Sequence, residues 1–318
     1  MTEYGQPYVL TLGESMGLLR QHTPGRLATQ RTLEFGFGGA ESNVAIALSR
    51  LGAEAVWCGR LGRDSVGELI ERELRAEGVL PWITWDPDAP TGLMLKERPT
   101  TGSSKVVYYR KNSAGSRIAP ADVPDALIEK AALVHVTGIT PALSPAADAT
   151  VESVLRRARA AGIPTSIDLN YRGALWDRVT AGARLTQLVA LADLVFAGDD
   201  EAAILLGHRE VPALAAGLRE IGPREAIIKL GERGCYAEAD GEQLWREAIP
   251  VTAIDTVGAG DAFVAGYLAE RLVGAPLPRR LETAVTAGAF ACLTSGDWEG
   301  LPRRSDFALL GAVDPVQR

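Results

Sequence analysis

The residues best suited to chemistry lie in the segment from Ile254 to Gly266, which reads IDTVGAGDAFVAG. Gly258, Ala259 and Gly260 follow a β-branched stretch, and apolar residues then recur at helical spacing. A small-residue turn that opens a helix leaves the first N–H groups at the positive end of the helix dipole, where an anion binds. Asp261, in the first helical turn, is placed to take a proton from a hydroxyl group as that hydroxyl attacks a phosphoryl group.

An isolated G-A-G-D sequence has a simpler interpretation, in which the glycines allow tight helix packing and Asp261 only favours the helix N-terminus. A second carboxylate, Asp255, precedes it in the same run, and the chain contains no G-x-x-x-x-G-K-[ST] phosphate-binding loop. The whole run D-T-V-G-A-G-D-A-F resembles the C-terminal motif of the ribokinase-like (PfkB) family of sugar kinases. A match of this length has few accidental occurrences, so the resemblance favours a phosphoryl-transfer site.

A glycine-rich segment, Gly36 to Gly52, precedes the first predicted helix, which we expect to begin near Ser42. Its G-G-A-E-x-N sequence resembles the N-terminal motif of the same family, in the form found in kinases of 2-keto-3-deoxygluconate. The resemblance implies that Asn43 presents its amide group to substrate hydroxyls. It also implies that Gly38 and Gly39 let the backbone approach the substrate closely.

Two segments, at about 15–37 and 91–111, have the alternating pattern of strands, and the first is predicted to be exposed. In the family, such strands form a small β-sheet lid over the sugar and often a dimer contact. Tyr108 and Arg110 resemble a tyrosine and an arginine that hold the substrate carboxylate in keto-deoxy sugar acid kinases, although cross-strand packing is the simpler interpretation. Met94 stands where relatives often have an aromatic residue, so one hydroxyl contact is not expected here.

From Leu133 onward, short apolar segments alternate with helical patterns. This alternation predicts an α/β fold with a mainly parallel central sheet covered by helices on both faces. Ligands of such sheets bind at the carboxyl ends of the strands. With the motifs above, we expect residues 1–318 to form a single ribokinase-like domain that carries the lid as a small second sheet.

The segment from Ser166 to Trp176, SIDLNYRGALW, resembles a D-x-N-x-R-x-x-L-W motif of the family, with Leu169 where proline is more usual. The resemblance places Asn170 at the nucleotide and Arg172 at the substrate. A guanidinium group binds a carboxylate through two parallel hydrogen bonds. Two arginines, Arg110 and Arg172, therefore suit an acidic sugar, although a surface arginine paired with an acidic neighbour is equally common.

Two weaker resemblances concern the nucleotide and the metal. Lys229, Gly231 and Gly234 match the family's K-x-G-x-x-G, a turn that lies along the nucleotide, but a plain turn would read the same way. Glu201 occupies the place of a glutamate that helps to organise Mg²⁺ through water. Gly198 replaces the asparagine of that motif, and an acidic cluster at a helix start is also ordinary helix chemistry.

Composition limits the classes of partner. The chain has 318 residues, of which 47% are hydrophobic and 23% charged, and its formal net charge is −7. This balance fits a soluble globular protein and disfavours nucleic acid and acidic membrane surfaces as partners. Cys58, Cys235 and Cys292 form no C-x-x-C pair, as in proteins of a reducing compartment, and no apolar run has membrane length. We expect a cytoplasmic protein.

The resemblance as a whole implies a kinase that uses ATP and Mg²⁺ to phosphorylate the terminal hydroxyl group of a keto-deoxy sugar acid. The expected reaction converts 2-keto-3-deoxygluconate to its 6-phosphate, in a homo-oligomer formed through the lid. The sequence leaves open whether a monovalent cation assists. Two alternatives also stay open: a fructokinase or other neutral-sugar kinase on the same fold, and a non-catalytic sensor of sugar acids.

Overall fold

Short apolar segments separated by amphipathic stretches form alternating strands and helices in the computed structural model, which describes residues 7–101 and 103–310. The ends of the predicted domain, 1–6 and 311–318, and Gly102 of the predicted lid lie outside the described residues. The strands are β1 (Tyr8–Leu12), β2 (Met16–Arg20), β3 (Glu34–Gly38), β4 (Ala55–Gly62), β5 (Leu80–Asp86), β6 (Leu93–Thr100), β7 (Ser103–Tyr109), β8 (Ala131–Thr137), β9 (Thr165–Asp168), β10 (Leu194–Gly198), β11 (Glu225–Lys229), β12 (Cys235–Ala239) and β13 (Glu242–Arg246). The helices are α1 (Ala40–Arg50), α2 (Ser65–Ala76), α3 (Asp125–Glu129), α4 (Pro145–Ala160), α5 (Arg178–Val189), α6 (Asp199–Leu206), α7 (Val211–Ile221), α8 (Ala259–Leu272) and α9 (Leu277–Ala291). Among these helices, none is long and apolar enough to cross a membrane.

Nine strands of the described ranges form the central sheet, in the order β13-β12-β11-β10-β9-β8-β1-β4-β5. Neighbouring strands from β5 to β11 run parallel, and β12 pairs antiparallel with both β11 and β13. One hydrophobic cluster packs α1, α2, α8 and α9 against one face, and a second packs α3, α4, α5 and α7 against the other. The predicted α/β architecture, with a mainly parallel sheet covered on both faces, is confirmed.

The lid sheet is a separate sheet with the strand order β3-β2-β6-β7. Its central strands β2 and β6 are parallel, and each edge strand pairs antiparallel with its neighbour. The expectation that the first lid segment is exposed is wrong for β2, because Met16 and Leu18 are buried against Met94 on the inner face of the sheet. These apolar side chains would be exposed on an isolated strand, but here the inner face of the lid sheet covers the central sheet and buries them.

The first helix begins two residues before the predicted Ser42. In α1 the backbone N–H of Asn43 already donates to Gly39 O over 2.8 Å, so the first hydrogen-bonded turn closes on the glycine itself. The Ser42 hydroxyl donates to the same oxygen over 2.9 Å and does not cap the helix. Asn43, in this first turn, contacts α8 at the site described next.

Candidate active site

A cavity of about 770 Å³ lies between the lid sheet and the carboxyl edge of the central sheet. Most residues singled out from the sequence line it, although they come from distant parts of the chain. They are Gly39, Asn43, Tyr108, Arg110, Asn170, Arg172, Glu201, Lys229, Gly258, Gly260 and Asp261. The fold thus brings the separate sequence motifs into one site, which we call the first cavity.

A second cavity, of about 980 Å³, adjoins the first. Gly231, Gly234 and Ala259 line it, together with apolar side chains such as Phe263 and Val285. The two cavities share three residues, Lys229, Thr256 and Gly260. They therefore meet at the N-terminus of α8, with a largely apolar space on one side and a charged space on the other.

Asp261 lies in the first turn of α8 with only 8% of its surface exposed. Asn43 Nδ2 donates a hydrogen bond to Asp261 Oδ2 over 2.8 Å. Burial raises the pKa of Asp261 to about 7 against the opposing hydrogen bond from Asn43. Asp168 raises this pKa further, while the positive charges of Arg172 and Lys229 lower it. A carboxylate that titrates near neutrality is basic enough to accept a hydroxyl proton and is still ionised at the working pH.

The turn before α8 requires glycine at position 258. Gly258 has a φ of 78°, in the left-handed region that favours glycine. A Cβ built there would lie 2.1 Å from the backbone oxygen of Asp297. The Gly258 oxygen accepts a hydrogen bond from Ala262 N over 2.8 Å, so the helix starts directly after the turn. The first N–H groups of α8 therefore face the junction of the two cavities, where they can stabilise an anion.

Lys229 places a permanent positive charge at this junction. Its Nζ donates to both carboxylate oxygens of Asp168, over 2.7 and 2.6 Å. Burial disfavours the ammonium group, but the charges of Asp168 and Glu201 outweigh burial and raise the pKa of Lys229. The ammonium group lies 3.7 Å from the position that a Cβ on Gly260 would take. It thus supplements the helix dipole beside the turn.

Gly38 and Gly39 allow close contacts behind the wall of the first cavity. A Cβ at Gly38 would lie 2.0 Å from the Asp297 carboxylate, and one at Gly39 would lie 2.4 Å from the backbone oxygen of Glu14. These contacts are within the protein, and closeness to a substrate stays a prediction.

The amide nitrogen of Asn43 donates its hydrogen bond to Asp261, the buried aspartate of α8. The amide oxygen, Oδ1, has no hydrogen-bond partner in the described part of the chain. That oxygen is buried, so the contact of Asn43 with substrate hydroxyl groups stays a prediction.

Arg110 already has a carboxylate partner. Glu14, whose side chain is fully buried, accepts a hydrogen bond from Arg110 Nε over 2.7 Å and forms an ion pair with Nη2 over 2.5 Å. Ser113 Oγ donates to the same carboxylate. The guanidinium carbon lies 5.6 Å from the centre of the Tyr108 ring, within the range of cation–π attraction. Because Arg110 and Tyr108 still line the first cavity, Glu14 fixes the guanidinium group without removing it from the site.

Asn170 and Arg172 lie on the loop after β9. Asn170 is largely buried and has a φ of 37°, a left-handed conformation uncommon for residues other than glycine. Arg172 follows at the cavity wall with an exposed side chain. Within residues 7–101 and 103–310, its guanidinium group forms no ion pair. Arg172 is therefore free to bind an anionic group.

Glu201, which is predicted to help organise Mg²⁺, accepts hydrogen bonds from two backbone N–H groups. Its Oε1 accepts from Tyr171 N over 2.9 Å and its Oε2 from Gly198 N over 2.7 Å. The described residues contain no group of three or more His, Cys, Asp or Glu side chains placed to hold a metal ion. Magnesium usually keeps several waters and binds through substrate phosphates, so a single carboxylate at the cavity wall fits a water-mediated contact.

Two buried carboxylates of the first cavity, Glu14 and Asp297, were not predicted from the sequence, and a third, Glu41, belongs to the G-G-A-E-x-N motif but was given no role. Burial raises the pKa of Asp297 to about 7 and also raises the pKa of Glu41, which accepts hydrogen bonds from two threonine hydroxyls. The available signals were a glutamate directly after a strand-ending glycine and an acidic pair between Gly296 and Gly300. Both patterns are also ordinary turn chemistry, and only the fold shows what they face.

Comparison with known proteins agrees with this geometry. Residues 6–304 match the pfkB family of carbohydrate kinases. The 2-dehydro-3-deoxygluconokinase of Bacillus subtilis is 36% identical over 303 residues, which cover 94% of both chains. That of Thermoproteus tenax is 38% identical over 300 residues, which cover 92% of this chain and 91% of the relative. The crystal structure of the Thermotoga maritima 2-dehydro-3-deoxygluconokinase superposes with a TM-score of 0.89 at 26% identity, over 96% of this chain and 100% of that one. The chain belongs to the pfkB family of carbohydrate kinases.

Proposed function

We propose that this sugar kinase transfers the γ-phosphoryl group of ATP to the terminal hydroxyl group of a keto-deoxy sugar acid, with 2-keto-3-deoxygluconate as substrate and its 6-phosphate as product. The observation that carries the proposal is that Arg110 and Arg172 line the same cavity as Asp261. A neutral sugar would not offset the desolvation of two guanidinium groups, whereas a carboxylate forms charge-assisted hydrogen bonds with them. The names of the relatives point to the same class of substrate.

In this proposal the sugar acid spans the first cavity. Its carboxylate lies between the lid and the β9 loop, where Arg110, Tyr108 and Arg172 meet the cavity. Its hydroxyl groups lie beside Asn43, which lines the cavity. The backbone at Gly39, with Gly38 behind it, would form the floor beneath the sugar. The terminal hydroxyl group then lies at Asp261, near the junction with the second cavity.

Phosphoryl transfer needs little covalent chemistry from the protein, so positioning and charge stabilisation dominate. Asp261 accepts the hydroxyl proton as the hydroxyl oxygen attacks. The N–H groups of the turn at Gly258, Ala259 and Gly260 stabilise charge on the transferring group, and Lys229 adds a positive charge beside them. The lid excludes water, which strengthens each of these interactions.

The second cavity suits the nucleotide. Its apolar walls would receive the base, and the turn that includes Gly231 and Gly234 would lie along the nucleotide, as the phosphates extend toward Lys229 and Asn170 at the junction. Mg²⁺ bound to the phosphates would neutralise charge on them, with Glu201 holding one of its waters.

The proposal includes no role for a monovalent cation, and a requirement for one is open to measurement. We also propose a cytoplasmic location, because the three cysteines are free thiols, as in proteins of a reducing compartment.

One observation favours a neutral-sugar kinase, such as a fructokinase, as the second candidate. Glu14 compensates the charge of Arg110, so the lid presents less net positive charge to the cavity than two free arginines would. The two candidates differ in what Arg172 does. In a sugar-acid kinase it binds the substrate carboxylate, and in a fructokinase it has no anionic partner on the sugar.

The test is coupled ADP release with ATP and Mg²⁺ on 2-keto-3-deoxygluconate, its galacto epimer, fructose and ribose. We expect the largest kcat/KM on a keto-deoxy acid, its loss in Asp261→Asn, and a fall of at least about tenfold in Arg172→Ala that is absent with fructose. Turnover on fructose alone would exclude the sugar-acid proposal and leave a neutral-sugar kinase. Binding without turnover, equal in wild type and Asp261→Asn, would instead indicate a sensor.

A further inference from the structure

A buried ion pair joins the lid sheet to the segment that leads into α8. Lys96 on β6 and Asp255 are 159 residues apart in the chain, and Lys96 Nζ donates a hydrogen bond to Asp255 Oδ2. Only 6% of the Lys96 side chain and 12% of the Asp255 side chain are exposed. Arg20, in register with Lys96 on β2, makes a second connection, with its Nη1 2.8 Å from the backbone oxygen of Ser295. Both central strands of the lid sheet are therefore tied to the same region of the main body.

Asp255 also holds the backbone on two sides of the site. Its Oδ1 accepts a long hydrogen bond from Val257 N over 3.3 Å, and its Oδ2 accepts one from Gly296 N over 3.4 Å. Val257 immediately precedes Gly258, and Gly296 immediately precedes Asp297 in the cavity wall. One carboxylate thus connects the lid, the turn that begins α8 and the loop that carries Asp297.

The position of Lys96 makes this connection relevant to the reaction. Lys96 lines the first cavity, but it does not line the second cavity. A buried ion pair adds little net stability, because both charges lose hydration when it forms. Removing one partner leaves the other charge buried and unpaired, so the structure shifts to hydrate it. The pair is therefore better suited to fixing a geometry than to stabilising the fold.

We propose that Lys96 and Asp255 are positioning residues for phosphoryl transfer. Their ion pair holds the lid, and with it the sugar beneath the lid, at a fixed distance from the turn at Gly258 that receives the phosphoryl group. The proposal rests on the function proposed above, in which the sugar lies between the lid and α8. It requires only that the protein phosphorylates some sugar in the first cavity.

The test replaces Lys96 with Met, which keeps most of the side-chain length and removes the charge. A displacement of about 1 Å between reacting groups costs up to about 100-fold in rate. We expect kcat to fall at least tenfold, within that range, while the KM for ATP changes less than about twofold. Lys96→Arg should retain most of kcat, because it keeps a charge that can reach the carboxylate. The matched control is Lys130→Met, an exposed lysine that follows α3, outside the lid sheet and both cavity linings, which should leave kcat unchanged.

A double-variant cycle separates positioning from a general loss of stability. If the two residues act as one pair, Lys96→Met combined with Asp255→Asn should lower kcat no more than the more damaging single change. Adding ethylammonium to Lys96→Ala should restore part of kcat, since the cation can occupy the vacated site. An unchanged kcat in Lys96→Met, or a loss of kcat that follows the loss of thermal stability in all variants, would overturn the proposal.

The sugar panel keeps this result distinct from the choice of substrate. If wild type prefers fructose, the sugar-acid proposal is wrong, and the same comparison on fructose still tests the ion pair. If wild type phosphorylates no sugar, both proposals are overturned together.

Discussion

Asp261 derives its basicity from its surroundings. A solvated aspartate is a poor base at neutral pH, because its pKa lies near 4. In this protein, burial in the first turn of α8 raises the pKa to about 7, although Asn43, Arg172 and Lys229 all favour the ionised form. Of these neighbours, Asn43 also orients the carboxylate through its hydrogen bond, so one contact both tunes and positions the base.

The pH dependence of the rate follows from this pKa. The base must be ionised to accept the hydroxyl proton, so kcat/KM for the sugar should rise with pH up to about 7 and level off above it. Below the inflection, the rate should fall about tenfold per pH unit. Steady-state rates from about pH 5.5 to about pH 8.5, under conditions where the protein stays folded, measure the profile.

Asp297 provides the control for that profile, because burial raises its pKa to about 7 as well. In Asp297→Asn the inflection should persist even if the rate is lower. In Asn43→Leu the inflection should move to higher pH, because the hydrogen bond that favours the ionised form of Asp261 is lost. If the inflection disappears in Asp297→Asn, the titrating group is Asp297 and not Asp261, which would contradict the prediction.

At the scale of the element, α8 is bounded by two glycines with nearly the same φ angle. Gly258 before the helix has a φ of 78°, and Gly274 after it has a φ of 71°. A Cβ at Gly258 would lie 2.1 Å from the Asp297 backbone oxygen, whereas one at Gly274 would meet nothing within 4 Å. The two positions therefore separate conformational strain from steric conflict.

Alanine at each glycine gives a matched pair of variants. Gly274→Ala should lower the free energy of unfolding by about 1 kcal/mol, the cost of a positive φ, with kcat unchanged. Gly258→Ala should cost more than this, and kcat should fall at least about 100-fold because the anion-binding turn must move away from Asp297. Urea unfolding and steady-state kinetics measure both effects. Equal losses of stability with equal kcat would contradict the role given to the turn.

Local sequence patterns were sufficient for the parts of the fold that depend on local physics. Apolar runs with helical patterns between them led to the parallel sheet, whereas Asn170 and Lys229 were assigned to the site by motif resemblance. The burial of β2 was not predictable in this way, because it depends on which face of the lid sheet closes over the main body. The same holds for Glu14, which is a surface glutamate by its local sequence and a buried partner of Arg110 in the fold.

At the scale of the whole molecule, the site depends on contacts between distant segments. Lys96 and Asp255 are 159 residues apart, and Asn43 and Asp261 are 218 apart. A single sequence carries no direct signal for such pairings, since each residue reads as ordinary surface or helix chemistry. Motif resemblance brought Asn43 and Asp261 to one site. Lys96 lies in no such motif, and only the fold shows its partner.

The lid sheet also has features that would suit pairing with a second copy of the protein. Its two edge strands, β3 and β7, carry exposed aromatic side chains, with Phe35 47% and Tyr109 62% exposed. Unpaired edges with exposed apolar residues are sites of pairing with another chain. We therefore expect a homodimer through the lid sheets, which would also keep each lid ordered over its cavity.

Sedimentation velocity tests this expectation. Wild type should sediment as a dimer, and Phe35→Glu combined with Tyr109→Glu should sediment as a monomer, because four like charges would meet at one interface. Trp245→Glu is the matched control, since Trp245 is 54% exposed on β13, the edge strand of the central sheet. If that control also dissociates, or if wild type is a monomer, the lid is not the interface. A monomeric lid variant with lower kcat and a normal KM for ATP would show that pairing helps to order the lid for catalysis.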